Sequence, residues 1–273
     1  MRRFVAIALM TIACNGGPAG HSQTQILSLV YKQGTTYHYT VHMTIDLSVE
    51  SAIGTDQMKY DITAKETATV NAVDPSGVAD MAVTLTDISM TSTLGSSPTT
   101  STTGSTAPTT TFKIAADGQV ISSNAASALA DSPASVTGGG SVASALLPDH
   151  AVKPGDTWSK AYDEPIGIGS ATAHATSDSV YLRDEMFHGV RAAVVETTTV
   201  ANIDTRIDVS SSHETVKGTS SIDITSWIDP AAHRLLKTSA KNNSNLTFSD
   251  VALPGPEGTV TWRGPLNLDL EYT

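Results

Sequence analysis

The chain has 273 residues, with 16 basic and 27 acidic side chains and a net charge of −11. No basic cluster interrupts that acidic balance, which excludes nucleic acid as a partner and flat electrostatic docking on anionic lipid. Thr, Ser, Val and Ala dominate and charged residues are sparse, a mixture that favours strands, while a lone cysteine leaves no internal disulfide.

The first residues read as an export signal. Arg2 and Arg3 form a positive start, and 4–12 is an apolar run of nine residues. That is too short to span a hydrocarbon core, which needs about 20 residues in a helix. Thr11-Ile12-Ala13-Cys14 resembles a lipobox, the cleavage site of bacterial lipoproteins, although Leu is usual where Thr11 stands. The resemblance implies removal of 1–13 and acylation of Cys14 on its thiol and its new amine. Residues 14–25, opening Cys14-Asn15-Gly16-Gly17-Pro18, then serve as a flexible lipid-anchored tether. An ordinary signal cut after Ala19 is the alternative. Without Arg2 and Arg3, 14 basic and 27 acidic side chains leave −13, so membrane contact is expected through the lipid.

The body reads as mainly β, a β-rich α+β chain of long curved antiparallel meanders. Over 36–50, Tyr37, Tyr39, Val41, Met43, Ile45, Leu47 and Val49 alternate with polar residues. Period two means a strand with one wet and one buried face. At ~3.3 Å per residue it reaches ~46 Å, long enough to bend. Residues 58–72 repeat the pattern, with Glu66 falling on the apolar face. After the Asp74-Pro75-Ser76-Gly77 turn, 78–90 returns as a strand whose apolar phase switches, which a bulge near Asp87 explains. Residues 94–110 are uncharged and Ser/Thr-rich and read as a mobile loop. A hairpin around Asp117-Gly118 follows and closes a first β unit over 26–121.

Residues 122–150 are rich in Ala, Ser and Gly and read as a linker with one or two short helices. A second β unit over 151–273 has strands at 190–200, 222–228, 234–248 and 260–272. The units share a pattern, apolar-Lys-x-Gly-x-Thr-aromatic, at Tyr31 to Tyr37 and at Val152 to Trp158. Later matches, such as Gly77-Val78 with Gly189-Val190, make an internal repeat one reading and common strand-turn-strand grammar the other. Together the units suit a half-barrel or a sandwich.

The stretch Leu147-Pro148, then Val152-Lys153-Pro154-Gly155-Asp156-Thr157-Trp158, resembles a family of uncharacterised bacterial envelope lipoproteins with an LP…VKPGDTW motif. That resemblance implies no catalytic residues. A looser one, at the level of fold, is to LolA- and LprG-type lipoprotein carriers, in which a bent antiparallel sheet wraps an apolar cavity.

No metal, nucleophile or nucleotide motif stands out. His38 and His42 share a strand face but lie ~13 Å apart, too far to hold one ion. Gly139-Gly140-Ser141-Val142-Ala143 lacks the closing glycine of a nucleophile elbow. No cofactor is expected, and no enzyme. Three side chains are candidates to meet a ligand. Glu66 on its apolar face can hold a polar head group, unless a bulge turns it outward or Lys59 or Lys65 pairs with it. Trp158 and Trp227 can line a groove, or serve as core anchors. The expected protein is exported to the cell envelope and lipid-anchored, a non-catalytic binding or carrier module for a lipid or other apolar or amphipathic ligand. A structural lipoprotein contacting other envelope components is the alternative.

Overall fold

The computed structural model describes residues 24–51, 54–95, 97–102, 109–123, 145–165, 172–209, 212–251 and 258–273. They form twelve strands: β1 (Thr36–Ser51), β2 (Gly54–Val73), β3 (Ala79–Leu94), β4 (Ser97–Thr102), β5 (Thr110–Ile114), β6 (Val120–Ser123), β7 (Thr157–Pro165), β8 (Thr172–Phe187), β9 (Val190–Val209), β10 (Ser212–Asp229), β11 (Arg234–Val251) and β12 (Gly258–Tyr272). All belong to one antiparallel sheet of order β6-β5-β3-β2-β1-β12-β11-β10-β9-β8-β7, with β4 added beside β3. The first half of the chain builds one half of the sheet and the second half the other. They join where β1 meets β12, with Tyr39 opposite Tyr272.

The sheet curls until its last strands meet. β6 and β7 lie against each other without a shared ladder. Lys160 of β7 instead donates to Asp117 (2.5 Å) and Gln119 (2.6 Å) in the β5–β6 turn. Ten hydrogen-bonded ladders and one side-chain seam therefore close the ring. β2 and β9 have 20 residues each, ~66 Å of strand, so the ring is a long one.

Antiparallel alternation gathers the turns after β2, β5, β8 and β10 at one end. Residues 24–35 and 145–156, which lead into β1 and β7, cross that end and close it. Gln25 pairs with Val152. Leu29 N–H donates to the Ala116 carbonyl (2.7 Å), Val30 N–H to that of His233 (2.8 Å), and Leu147 N–H to that of Asp117 (2.9 Å). Leu27, Leu29, Leu147 and Val152 are buried beneath this crossing, in one cluster with Tyr39, Val70, Met81, Tyr181 and Val195 from both halves of the sheet.

The two Lys-x-Gly motifs are built alike. Gly34 (φ 81°) and Gly155 (φ 94°) adopt the left-handed conformation that glycine takes at little cost. Gly34 N–H donates to the Val70 carbonyl, and Gly155 N–H to that of Tyr181. The return bonds run from Val70 to Thr35 and from Tyr181 to Asp156. A register shift then follows each, at Val70/Ala72 in β2 and at Tyr181/Arg183 in β8.

The bulge expected near Asp87 is present. Thr63 and Lys65 of β2 face Ser89 and Thr86 of β3, so Asp87 and Ile88 oppose one residue, and Asp87 takes φ 51°. The expected loop is corrected in part, because Ser97–Thr102 is strand β4, paired to β3 from Ser89↔Thr102 to Leu94↔Ser97. Threonine's branched side chain fits a pleated surface, and a Ser/Thr-rich run needs only an adjacent edge to pair. The short helices expected within 122–147 fall mostly outside the described residues.

Candidate functional site: the inward face of the sheet

Alternation places one phase of every long strand inside the ring. In the second half that phase is buried along β8 and most of β9, while Trp158 and Tyr162 of β7 and Ile222 of β10 are half-buried. On β8 it runs Ala173, Ala175, Ser177, Ser179 and Tyr181, and on β9 Ala193, Val195, Thr197, Thr199, Ala201 and Ile203. Its middle is polar and internally bonded. Ser177 pairs with Thr199 (2.6 Å), Ser179 with Thr197 (2.8 Å), Ser226 with Thr238 (3.0 Å), and Ser220 donates to Asn242 (3.0 Å). Two of these hydroxyls also accept main-chain donors, Ala145 N–H at Ser226 (2.8 Å) and Leu146 N–H at Thr197 (3.1 Å). Such bonding offsets the cost of burying so many polar groups. Beyond this belt, toward the far end, Ile203, Val216, Leu246 and Phe248 form a second apolar cluster.

The first half differs. Along β2 the inward phase is buried at Ala64, Glu66, Ala68 and Val70, then becomes half-exposed at Ile62, Tyr60 and Met58 toward the β1–β2 hairpin. β3 grades the same way, from buried Met81 and Val83 to half-exposed Leu85, Ile88 and Met90. On β1, Ile45 and Leu47 are buried while Met43 and Val49 are half-exposed. The first half thus has a deep, buried base near the closed end and, beyond it, an apolar face that is half-buried on β2 and β3 and buried at Ile45 and Leu47 of β1. Methionine and tyrosine supply much of that face, and methionine adapts its shape to irregular partners.

Glu66 lies at the junction of base and open face, opposite Tyr39 on β1 and Leu85 on β3. It is 1% exposed, with both carboxylate oxygens buried. No bulge turns it outward. Lys65 pairs instead with Asp87 (2.7 Å) and Lys59 with Asp46 (2.8 Å), both on the wet face. Burial first, and then the charge of Glu66, hold the Tyr39 hydroxyl well above the ordinary tyrosine pKa.

The two tryptophans do not join Glu66 in one site. Trp158 faces inward from β7 beside the seam, packs against the main core and donates its indole N–H to the Leu146 carbonyl (2.9 Å). Trp227 lies between inward Ser226 and Ile228, so it faces outward. Its indole N–H donates to Glu185 (2.5 Å), and Lys237 sits 5.4 Å from its ring centre. The Trp227 bond is the first cause that keeps the Glu185 carboxyl below its usual pKa. Cys14 lies outside the described residues. Sequence reasoning missed the open face itself, because alternation marks which residues point inward and not how well they are covered.

The outer face has a depression of about 450 Å³, lined by Lys65, Asp87, His42, Lys237, Asp269 and Glu271 among others. Its cations are engaged locally, Lys65 with Asp87 and Lys237 with Glu271 (3.7 Å). The inward face of β1–β3 is therefore the stronger candidate for an apolar guest.

No family model matches the chain. No curated protein matches it either. Among solved structures, one on lipid–protein interactions in lipovitellin is 10% identical, with a TM-score of 0.48. That match covers 89% of this chain and 25% of the lipovitellin chain, so this chain spans about a quarter of that protein. DynF, from the dynemicin biosynthesis pathway of Micromonospora chersina, is 8% identical with a TM-score of 0.24, over 97% of this chain and 92% of its own. At these values neither likeness extends to function.

Proposed function

We propose that this protein is a non-catalytic carrier, exported and anchored through acylated Cys14, which holds an apolar or amphipathic ligand against the inward face of β1–β3. One observation carries the reading. On β8 and β9 the inward phase is buried from Ala173 to Tyr181 and from Ala193 to Ile203, yet on the first half Met43, Val49, Met58, Tyr60, Ile62 and Leu85 are only half-buried. An apolar surface inside a curled sheet is sheltered from other proteins but open to a small guest. Covering ~200 Å² of it is worth about 5 kcal/mol before the cost of ordering the guest. Glu66 and Tyr39 lie buried at the base of that face.

Intact-mass analysis of membrane-extracted full-length protein tests the reading. The expected result is an acyl increment on a chain beginning at Cys14, and a bound apolar molecule released on denaturation. Tyr60→Asp, which places a charge on the open face, should strip the bound molecule while the circular dichroism spectrum stays that of a β-protein. A wild-type chain that carries no guest and takes up none from added lipid vesicles overturns the carrier reading.

A further inference from the structure

We infer that the closed end of the sheet is the face that sits on the membrane, with a phospholipid bilayer as its partner. This rests on the lipid-anchor part of the proposed function. Among the described residues, four of the six large apolar side chains that stand most exposed, Ile26, Val30, Met186 and Ile121, lie at or next to this end. Ile26 (61% exposed) and Val30 (56%) point outward from the crossing lead-in whose inner residues, Leu27 and Leu29, are buried. Met186 (68%) stands beside the β8–β9 turn, Leu182 lies lower on β8, and Ile121 is the second residue of β6, next to the seam.

The tether selects the same end. Thr24, the first described residue, belongs to the crossing lead-in. Ten Cα-to-Cα steps separate it from Cys14, a reach of at most ~36 Å. The 20-residue strand β2 alone spans ~66 Å, so the lipid reaches the closed end and not the far one. A net charge of −13 on the anchored chain leaves little electrostatic attraction to anionic lipid, so its contact is expected through the apolar side chains and insensitive to salt, with exposed Asp149 at its edge. The half-exposed ligand face then opens away from the bilayer.

The test uses the full-length protein reconstituted into phosphatidylcholine vesicles, with one cysteine added at a time. Acylated Cys14 does not react with a maleimide, so Met186→Cys or Gln57→Cys takes a single environment-sensitive fluorophore. Position 57 lies on the wet face of β2 near the far end. A label at 186 should shift to shorter wavelength and be quenched several-fold more strongly by nitroxide lipids than a label at 57, at low and high salt alike. Equal quenching at the two positions, or stronger quenching at 57, overturns the inference and leaves the anchor reading intact. Intact mass of the same samples reads the anchor separately, and a chain without the acyl increment overturns both.

Discussion

Gly264 on β12 has φ 149°, and a Cβ there would fall 1.9 Å from the Asp46 carbonyl oxygen of β1. Gly218 on β10 repeats the arrangement, 2.0 Å from the Asn245 carbonyl oxygen of β11. Both glycines let a neighbouring strand approach more closely than any side chain allows, in a conformation other residues resist. Gly264→Ala should therefore cost about 2–3 kcal/mol, lowering Tm by roughly 5–10 °C. Gly34→Ala, at a turn whose Cβ would meet nothing, should cost about 1 kcal/mol. Thermal denaturation of the two variants checks the ranking, and an equal loss would mean that conformational strain alone decides. The sequence shows where glycines stand but not what approaches them. Glu66 was more legible, since period two alone put it on the apolar face. Its burial was not, because whether a carboxyl at such a position bulges outward depends on the register of the neighbouring strand.

Strand by strand, legibility followed the contrast between the two faces. β1 and β2 declare themselves because large apolar side chains alternate with Thr, Asp and Lys. β8 does not, although it is 16 residues long. Its inward phase is Ala, Ala, Ser, Ser and its outward phase includes Thr176 and Asp178, so hydropathy hardly alternates. Its hydroxyls are legible only once Thr197 and Thr199 are seen across from them. The seam between β6 and β7 was equally hidden, as two amine bonds from Lys160 replace a ladder. Lys160→Met should remove the clasp and loosen that junction by up to about 1 kcal/mol, in keeping with a part-exposed ion pair. Hydrogen exchange should then quicken in β6 and β7 and stay unchanged in β9 and β10. Uniform acceleration over the whole sheet would show that the clasp supports global stability instead.

Across the whole molecule, the Lys-x-Gly repeat read from the sequence has a physical counterpart. Each motif makes the same pair of main-chain bonds to the second strand of its half, and each is followed by a register shift there. The halves differ in cover, with the inner face of β8 and β9 buried and that of β2 and β3 half-buried at Met58, Tyr60, Ile62 and Leu85. Cys14→Ser separates address from fold. The variant should move from the membrane fraction to the soluble fraction with an unchanged Tm, because the substitution removes only the acylated thiol. Fractionation with thermal denaturation of the released protein measures both, and retention in the membrane fraction would count against the anchor.

The junction of β1 with β12 also sets a timetable. Asn267 donates to Thr44 across that junction, 223 residues away along the chain. β1 therefore waits for β12 before its second edge is covered, and the ring closes only after the ten strands between them exist. Contacts this distant in sequence make folding slow.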